Sequence, residues 1–378
     1  MTDISSFIDP DIAKMIAEEQ SRFRIREEWL KRFRRNLMSL PKLEGGVWKE
    51  PDLVNPIPDK FSKFTKVAAV DGGLVQNDLR GFDLILTRAV APIFRGLGNQ
   101  VKVEYVPEFN PKPTMTIFPS FETRQELGKV GTLLRLKAEY SVAIQAMEMQ
   151  SPRILMLDGS IYPLKSDFSN DVSNEIIAEL EKQIKKIYLD LIRTAVSNET
   201  ILLGVVKDSR SRSFVSHFIA TIVDWIRSKA VSMELTKGFR MALTHLLDAD
   251  FAVHLLKVGQ RLPWFQITTP NWFPLSPRIE FRATYLRTVL NDLPIRVEVA
   301  YPDGRDWAPM QLQNALAALN LMGKHGLDTA LPSILIEADE RAKIRQETVD
   351  FIIEQLALLL GVPVTFLKKR RHYPIGFD

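Results

Sequence analysis

The chain has 378 residues, 46% of them hydrophobic and 25% charged, with no cysteine and a formal charge of +4. Such a composition is globular; it excludes a disordered polymer, a disulfide-stapled scaffold and any thiolate metal site, and it allows one large domain with appendages or two ordinary ones. The small excess of Lys and Arg permits a nucleic-acid partner without demanding one.

In chain order, Met1 to Asp11 is acidic and lacks a basic-then-apolar leader, so a cytoplasmic protein is expected. Ile12 to Leu40 reads as a helical arm whose basic face, Arg22, Arg24, Arg26, Lys31, Arg32, Arg34 and Arg35, either tracks phosphates or is a solvated face packed on the body or on a second subunit. Pro51 to Pro58 carries three prolines and suggests a boundary. The expected division is an arm and linker over 1–60, a main domain over 61–345, and a carboxyl-terminal helix with a basic tail over 346–378.

Lys66 to Leu74 reads as a strand delivering Asp71, with Gly72 and Gly73 turning the chain sharply afterwards. Phe82 to Phe94 and Gln100 to Phe109 follow as strands, so that three strands joined by short loops form an antiparallel meander. Phe121 to Gln150 is helical, with Leu127, Val130, Leu134, Ala138 and Val142 on one face and Glu139 at its edge, one turn after Arg135. Ile154 to Leu157 is an unbroken apolar run that ends in Asp158 and Gly159, the signature of a strand buried on both faces. A second long helix spans Asn170 to Val196, and a third buried strand, Ile201 to Val206, runs into Lys207-Asp208-Ser209-Arg210-Ser211-Arg212.

Phe214 to Leu256 is mainly helical, and Arg261 to Pro277 is loop-like and rich in aromatics, among them Trp264 and Trp272. Such rings either stack bases beside a basic channel or fill a core or dimer interface. Ile279 to Arg287 and Ile295 to Ala300 are a strand pair, and Met310 to Met322, Leu331 to Arg345 and Thr348 to Leu360 are helices. The apolar stretch Phe351 to Phe366 is interrupted by Glu354, Gly361 and Pro363, so no membrane span is expected.

The strand ends gather the chemistry. Either Asp alone fits a structural turn, but two buried strands that each deliver an Asp, with a Glu on the helix between them, suit a divalent cation seeking hard oxygen ligands. The order of three strands, helix, strand, helix, strand, with acids on the first strand, first helix and fourth strand, describes an α/β fold of the ribonuclease H-like kind, a mixed sheet with flanking helices. Here it carries an amino-terminal helical arm and a helical carboxyl-terminal segment. In such sites two divalent ions held by carboxylates flank the scissile phosphate. No phosphate loop, dinucleotide fingerprint or nucleophile elbow is present.

Val67 to Gly73, Arg135 with Glu139, Leu155 to Ser160, Val205 to Ser209, Ala330-Leu331-Pro332 and Glu337-Ala338-Asp339 together resemble the motifs of the NurA nucleases, in the family's order, from Lys66 to Ile344. The resemblance implies a manganese-dependent (or magnesium-dependent) deoxyribonuclease. It would be a homodimer that works with a HerA-type hexameric ATPase on DNA ends in recombinational repair. Asp71, Glu139 and Asp158 match the metal-binding acids. Leu331 and Asp339 stand where the family usually has Tyr and His. Asp339 reads equally as a fourth metal-binding carboxylate or as a surface residue paired with Arg341 or Lys343.

Lys207 is expected to touch phosphate or orient the nucleophile, and Arg135, Arg210 and Arg212 to contact DNA. The alternative function is a weakened dimeric scaffold that binds DNA for a translocase.

Overall fold

The computed structural model describes residues 42–60, 66–96, 101–164, 174–228, 246–268, 279–302, 309–326 and 328–368, with scattered positions in 11–28 and at 168 and 243. Of the basic arm only Arg24 is described, on an exposed helical position; Trp272 and the tail from Lys369 onward lie outside the described residues.

The strands are β1 (Asn55–Pro56), β2 (Lys66–Asp78), β3 (Phe82–Arg95), β4 (Lys102–Val106), β5 (Thr114–Pro119), β6 (Ile154–Asp158), β7 (Ile201–Val206), β8 (Gln260–Arg261), β9 (Phe265–Ile267), β10 (Ile279–Arg287) and β11 (Ile295–Pro302). The helices described are α1 (Arg124–Gln150), α2 (Glu175–Ser197), α3 (Ser213–Ser228), α4 (Asp248–Leu255), α5 (Pro309–Gly323), α6 (Ser333–Ala342), α7 (Gln346–Leu360) and α8 (Val364–Leu367). One mixed sheet runs in the order β1-β8-β10-β11-β7-β6-β2-β3-β4, with β5 beside β3 and β9 beside β10. Within it, β4-β3-β2 is the expected antiparallel meander, and β6 and β7 continue from β2 as parallel neighbours. Parallel neighbours need crossovers, supplied by α1 before β6 and by α2 between β6 and β7.

Period-two alternation sorts the apolar residues of the central strands between two cores. Ala68, Val70, Leu155 and Leu157 face a core shared with α1 to α4, whereas Val67, Ala69, Ile154 and Met156 face a second core under α5 and α6. A third core lies under α7, against Leu84 and Leu86 of β3. The segment before β2 is stitched to the body: Trp48 packs edge-on to Phe214 at 5.3 Å and donates its indole N–H to Thr221 Oγ1 at 3.0 Å. Glu50 grips Arg261 through two bonds of 2.6 Å.

Several expectations need correction. Gly72 and Gly73 do not turn the chain; β2 runs straight through them to Asp78, paired with β3 throughout that stretch. β5 went unseen because an edge strand with mostly exposed residues leaves no buried run. The Arg261 to Pro277 stretch begins with two short strands, β8 and β9. On α1 the buried stripe is Val130, Leu133, Leu136, Glu139, Tyr140, Ala143 and Met147, so Glu139 lies within the stripe and Leu134, Ala138 and Val142 flank it.

Candidate active site

Val70 of β2 pairs in parallel with Leu157 of β6, so the next residues, Asp71 and Asp158, leave the second core side by side on the same face of the sheet. Ligand sites in open α/β sheets sit at such carboxyl ends of parallel strands. Asp158 in turn pairs with Val205 of β7, and Lys207, two residues on, donates from Nζ to Asp158 Oδ2 at 3.1 Å.

The two glycines after Asp71 admit other elements to this point. A Cβ on Gly72 would lie 2.5 Å from Glu139 Oε1, so the missing side chain makes room for the Glu139 carboxylate on the α1 face. A Cβ on Gly73 would collide with the carbonyl oxygen of Ala342, so that glycine lets the end of α6 press onto β2 from the opposite face. One turn earlier on α6 stands Asp339, solvent-exposed. Arg341 spends its charge on Glu337 at 2.8 Å, so of the two partners that the surface alternative offered Asp339, Arg341 is already taken.

The electrostatics describe a crowded acid site. Asp71 is 5% exposed. Burial pushes its carboxyl up to about 7, and the negative charges of Asp158 and Asp339 push the same way; the Gly72 N–H that it accepts at 2.7 Å and the Lys207 ammonium pull it back. Glu139 is buried and takes the Arg135 guanidinium at 2.8 Å.

Every donor here is a carboxylate oxygen, the chemistry that suits a hard divalent cation, and the repulsion around Asp71 is what such a cation relieves. Among the described residues no three of these side chains already stand as a ligand set for one ion. Lys207 and Arg135 meanwhile serve as counter-charges to Asp158 and Glu139.

The remaining expected contacts separate. Arg210 is exposed on the loop after β7, and Arg212 is half-buried there with Nε buried and unbonded. Trp264 is not a stacking platform: it is 3% exposed and packed in the second core, with no free face for a base.

Sequence reasoning passed over Arg296 and Glu298, both buried on β11. Glu298 accepts from Arg296 Nε at 2.7 Å, from the Ser160 hydroxyl at 2.8 Å and from the Ile161 N–H at 2.9 Å, and so fixes the loop that follows Asp158. Beyond Arg296, Tyr285 joins Ser209 of the Lys207 loop to Asp248. In sequence Arg296 and Glu298 stand at alternate positions of an otherwise apolar strand, which reads as a solvated face, so no signal marked them as buried.

A family model for the NurA domain matches residues 65–344. Among solved structures, the NurA nuclease from Sulfolobus solfataricus is 14% identical and aligns over 94% of this chain and 98% of its own, with a TM-score of 0.57. A second NurA crystal structure is 11% identical over 93% of this chain and 98% of its own at a TM-score of 0.49, and a NurA structure with manganese is 10% identical over 91% and 98% at 0.46. No curated protein sequence matches. Likeness at 14% identity shows a shared fold, and the family match spans β2 to α6, the elements that carry Asp71, Glu139, Asp158 and Asp339. The chain belongs to the NurA family.

Proposed function

We propose that the chain is a divalent-metal-dependent DNA nuclease, acting as a homodimer with a HerA-type hexameric ATPase in the resection of DNA ends. The observation that carries this reading is the adjacency of Asp71 and Asp158 on parallel strands, with the Asp71 carboxyl pushed up to about 7 by burial and by the charge of Asp158. Asp71, Asp158 and Asp339 would hold the ion on one face, and Glu139 lies behind Gly72 on the α1 face. Bound manganese or magnesium supplies neutralising charge at the scissile phosphate and a more acidic water, and two such ions would serve attack and departure separately.

The chain's own residues do the rest. Arg135 fixes the Glu139 side chain through an i,i+4 pair, which holds its carboxylate against Gly72. Lys207 is tethered through Asp158 and is 38% exposed, so its ammonium can turn to a non-bridging phosphate oxygen when the backbone enters. Arg210, on the same loop and exposed, is placed to touch a neighbouring phosphate. Glu298 and Arg296 keep both loops in register while this happens.

The test is digestion of linear DNA by the purified protein with manganese or magnesium, alone and with the hexameric ATPase. Shortening that needs the ion and stops on chelation is expected. Absence of shortening with either ion, even with the ATPase present, would overturn the nuclease reading in favour of a DNA-binding scaffold.

A further inference from the structure

The chain crosses from one face of the sheet to the other just after Asp158. The Asp158 side chain leaves β6 on the face of Ile154 and Met156, toward the second core, whereas Ile161, three residues on, is buried in the core shared with α1 to α4. Gly159 makes the crossing at a φ of +105°, a backbone conformation that glycine adopts without strain, and donates its N–H to the Val205 carbonyl at 2.9 Å. The loop then lies across β7 at Gly204, where a Cβ would collide with the Ile161 nitrogen. Glu298 is the β11 residue paired with Gly204, and its carboxylate takes the Ser160 hydroxyl at 2.8 Å and the Ile161 N–H at 2.9 Å.

An ion pair is buried here where apolar side chains would serve the core. Glu298 and Arg296 are 2% and 5% exposed, and the alternate residues of the same strand, Val297 and Val299, pack into the second core. Replacing a buried ion pair by apolar side chains of similar volume is often neutral or stabilising, so stability alone gives no reason for these two. What they add is placement. Glu298 divides its two oxygens, giving one to the loop and the other to Arg296 Nε at 2.7 Å. Arg296 Nη1 donates to the Tyr285 hydroxyl at 3.3 Å, and that hydroxyl donates to Asp248 at 3.0 Å. Asp248 in turn accepts from the Phe214 and Val215 N–H groups at the start of α3. The guanidinium that braces Glu298 is thus itself tied to the body of the protein.

We propose that Glu298 is a positioning residue: by clasping the loop over Gly204 it sets the direction in which Asp158 presents its carboxylate to a divalent ion. The proposal rests on the nuclease reading for the use of that ion, but its binding claim stands apart. The test is a manganese titration of the full chain, followed by the electron paramagnetic resonance of the free ion. It compares the parent with Glu298→Gln, Ser160→Ala and Ser160→Thr, each below its melting midpoint. An amide at 298 keeps the volume but turns N–H donors toward one of the partners, so Glu298→Gln weakens manganese binding about tenfold, within the roughly 10–100-fold expected of an outer partner. Ser160→Ala weakens it in the same direction, and Ser160→Thr, which keeps the hydroxyl, matches the parent. A role confined to the core would lower the melting midpoint and leave the affinity of the folded protein unchanged. That result for Glu298→Gln would overturn the proposal, as would a parent that binds no manganese. If Glu298→Gln does not fold, the Ser160 variants decide: Ala weaker than Thr supports the clasp, and Ala equal to the parent overturns it. Linear DNA separates the two readings, since excess manganese restores cutting by Glu298→Gln when both hold. A parent that binds manganese with this ranking of variants and cuts nothing with manganese or magnesium refutes the nuclease reading alone.

Discussion

At the scale of the residue, Asp71 carries the largest electrostatic cost of the site. Its carboxyl is raised to about 7, first by burial and then by Asp158 and Asp339, against about 3.9 in an unfolded chain. A raised acid contributes stability that is fully present below pH of about 4 and is lost as pH rises through 7. The ion-free protein is therefore expected to be less stable at pH 8 than at pH 5 through this group, by on the order of 2–3 kcal/mol. Asp71→Asn should remove most of that difference and raise the pH 8 midpoint; calorimetric melts of both proteins in chelator check it. Because an ion must displace the same proton, manganese affinity should rise with pH up to about 7 and then level. Asp339 is the exposed member of the cluster, so its role is decided by metal dependence rather than by stability. Asp339→Asn is expected to raise the manganese concentration needed for half-maximal hydrolysis. Asp339→His should keep hydrolysis with a profile shifted toward softer ions. Two variants that match the parent across metals would make Asp339 a surface residue.

At the scale of the element, the glycine pair on β2 separates two kinds of cost. A methyl at Gly72 meets the movable Glu139 side chain, whereas a methyl at Gly73 meets the Ala342 backbone, which cannot step aside. Gly72→Ala is expected to keep the melting midpoint within the reach of about 1 kcal/mol and to lose much of the metal-dependent hydrolysis; Gly73→Ala should cost about 1–3 kcal/mol of stability, read by urea titration. The reverse ranking would show that the glycines do not set the approach of α1 and α6. The same pair marks what the sequence could tell. β2, β6 and β7 were legible because strands buried on both faces leave unbroken apolar runs, and the acids that follow the runs of β2 and β6 came with them. The glycines read as a turn because local sequence does not reveal which helix will cross a strand. Glu139 was visible by its spacing from Arg135, but its burial depends on the phase of the α1 stripe, which Leu134, Ala138 and Val142 blurred. Trp264 looked like a base platform, and only the packing of α5 and α6 against the sheet shows it to be core.

At the scale of the whole molecule, one sheet joins the segment from Leu43 to Pro56 to the strands of the site, and among the described residues no helix is long and apolar enough to cross a membrane. On α7, Phe351, Leu358 and Leu359 are 60%, 73% and 83% exposed, an apolar surface of the kind that a partner covers. A dimeric mass by light scattering at micromolar concentration is expected, and a strictly monomeric mass would refute the dimer. The most direct test of the site is manganese-dependent hydrolysis of linear DNA by the parent, Asp71→Asn and Asp158→Asn, at matched concentration and with intact folds confirmed by their melts. Each variant should fall by about 100-fold or more, since loss of even an outer partner of a metal ligand costs roughly 10–100-fold. Either variant cutting at the parental rate would contradict a site built on Asp71 and Asp158.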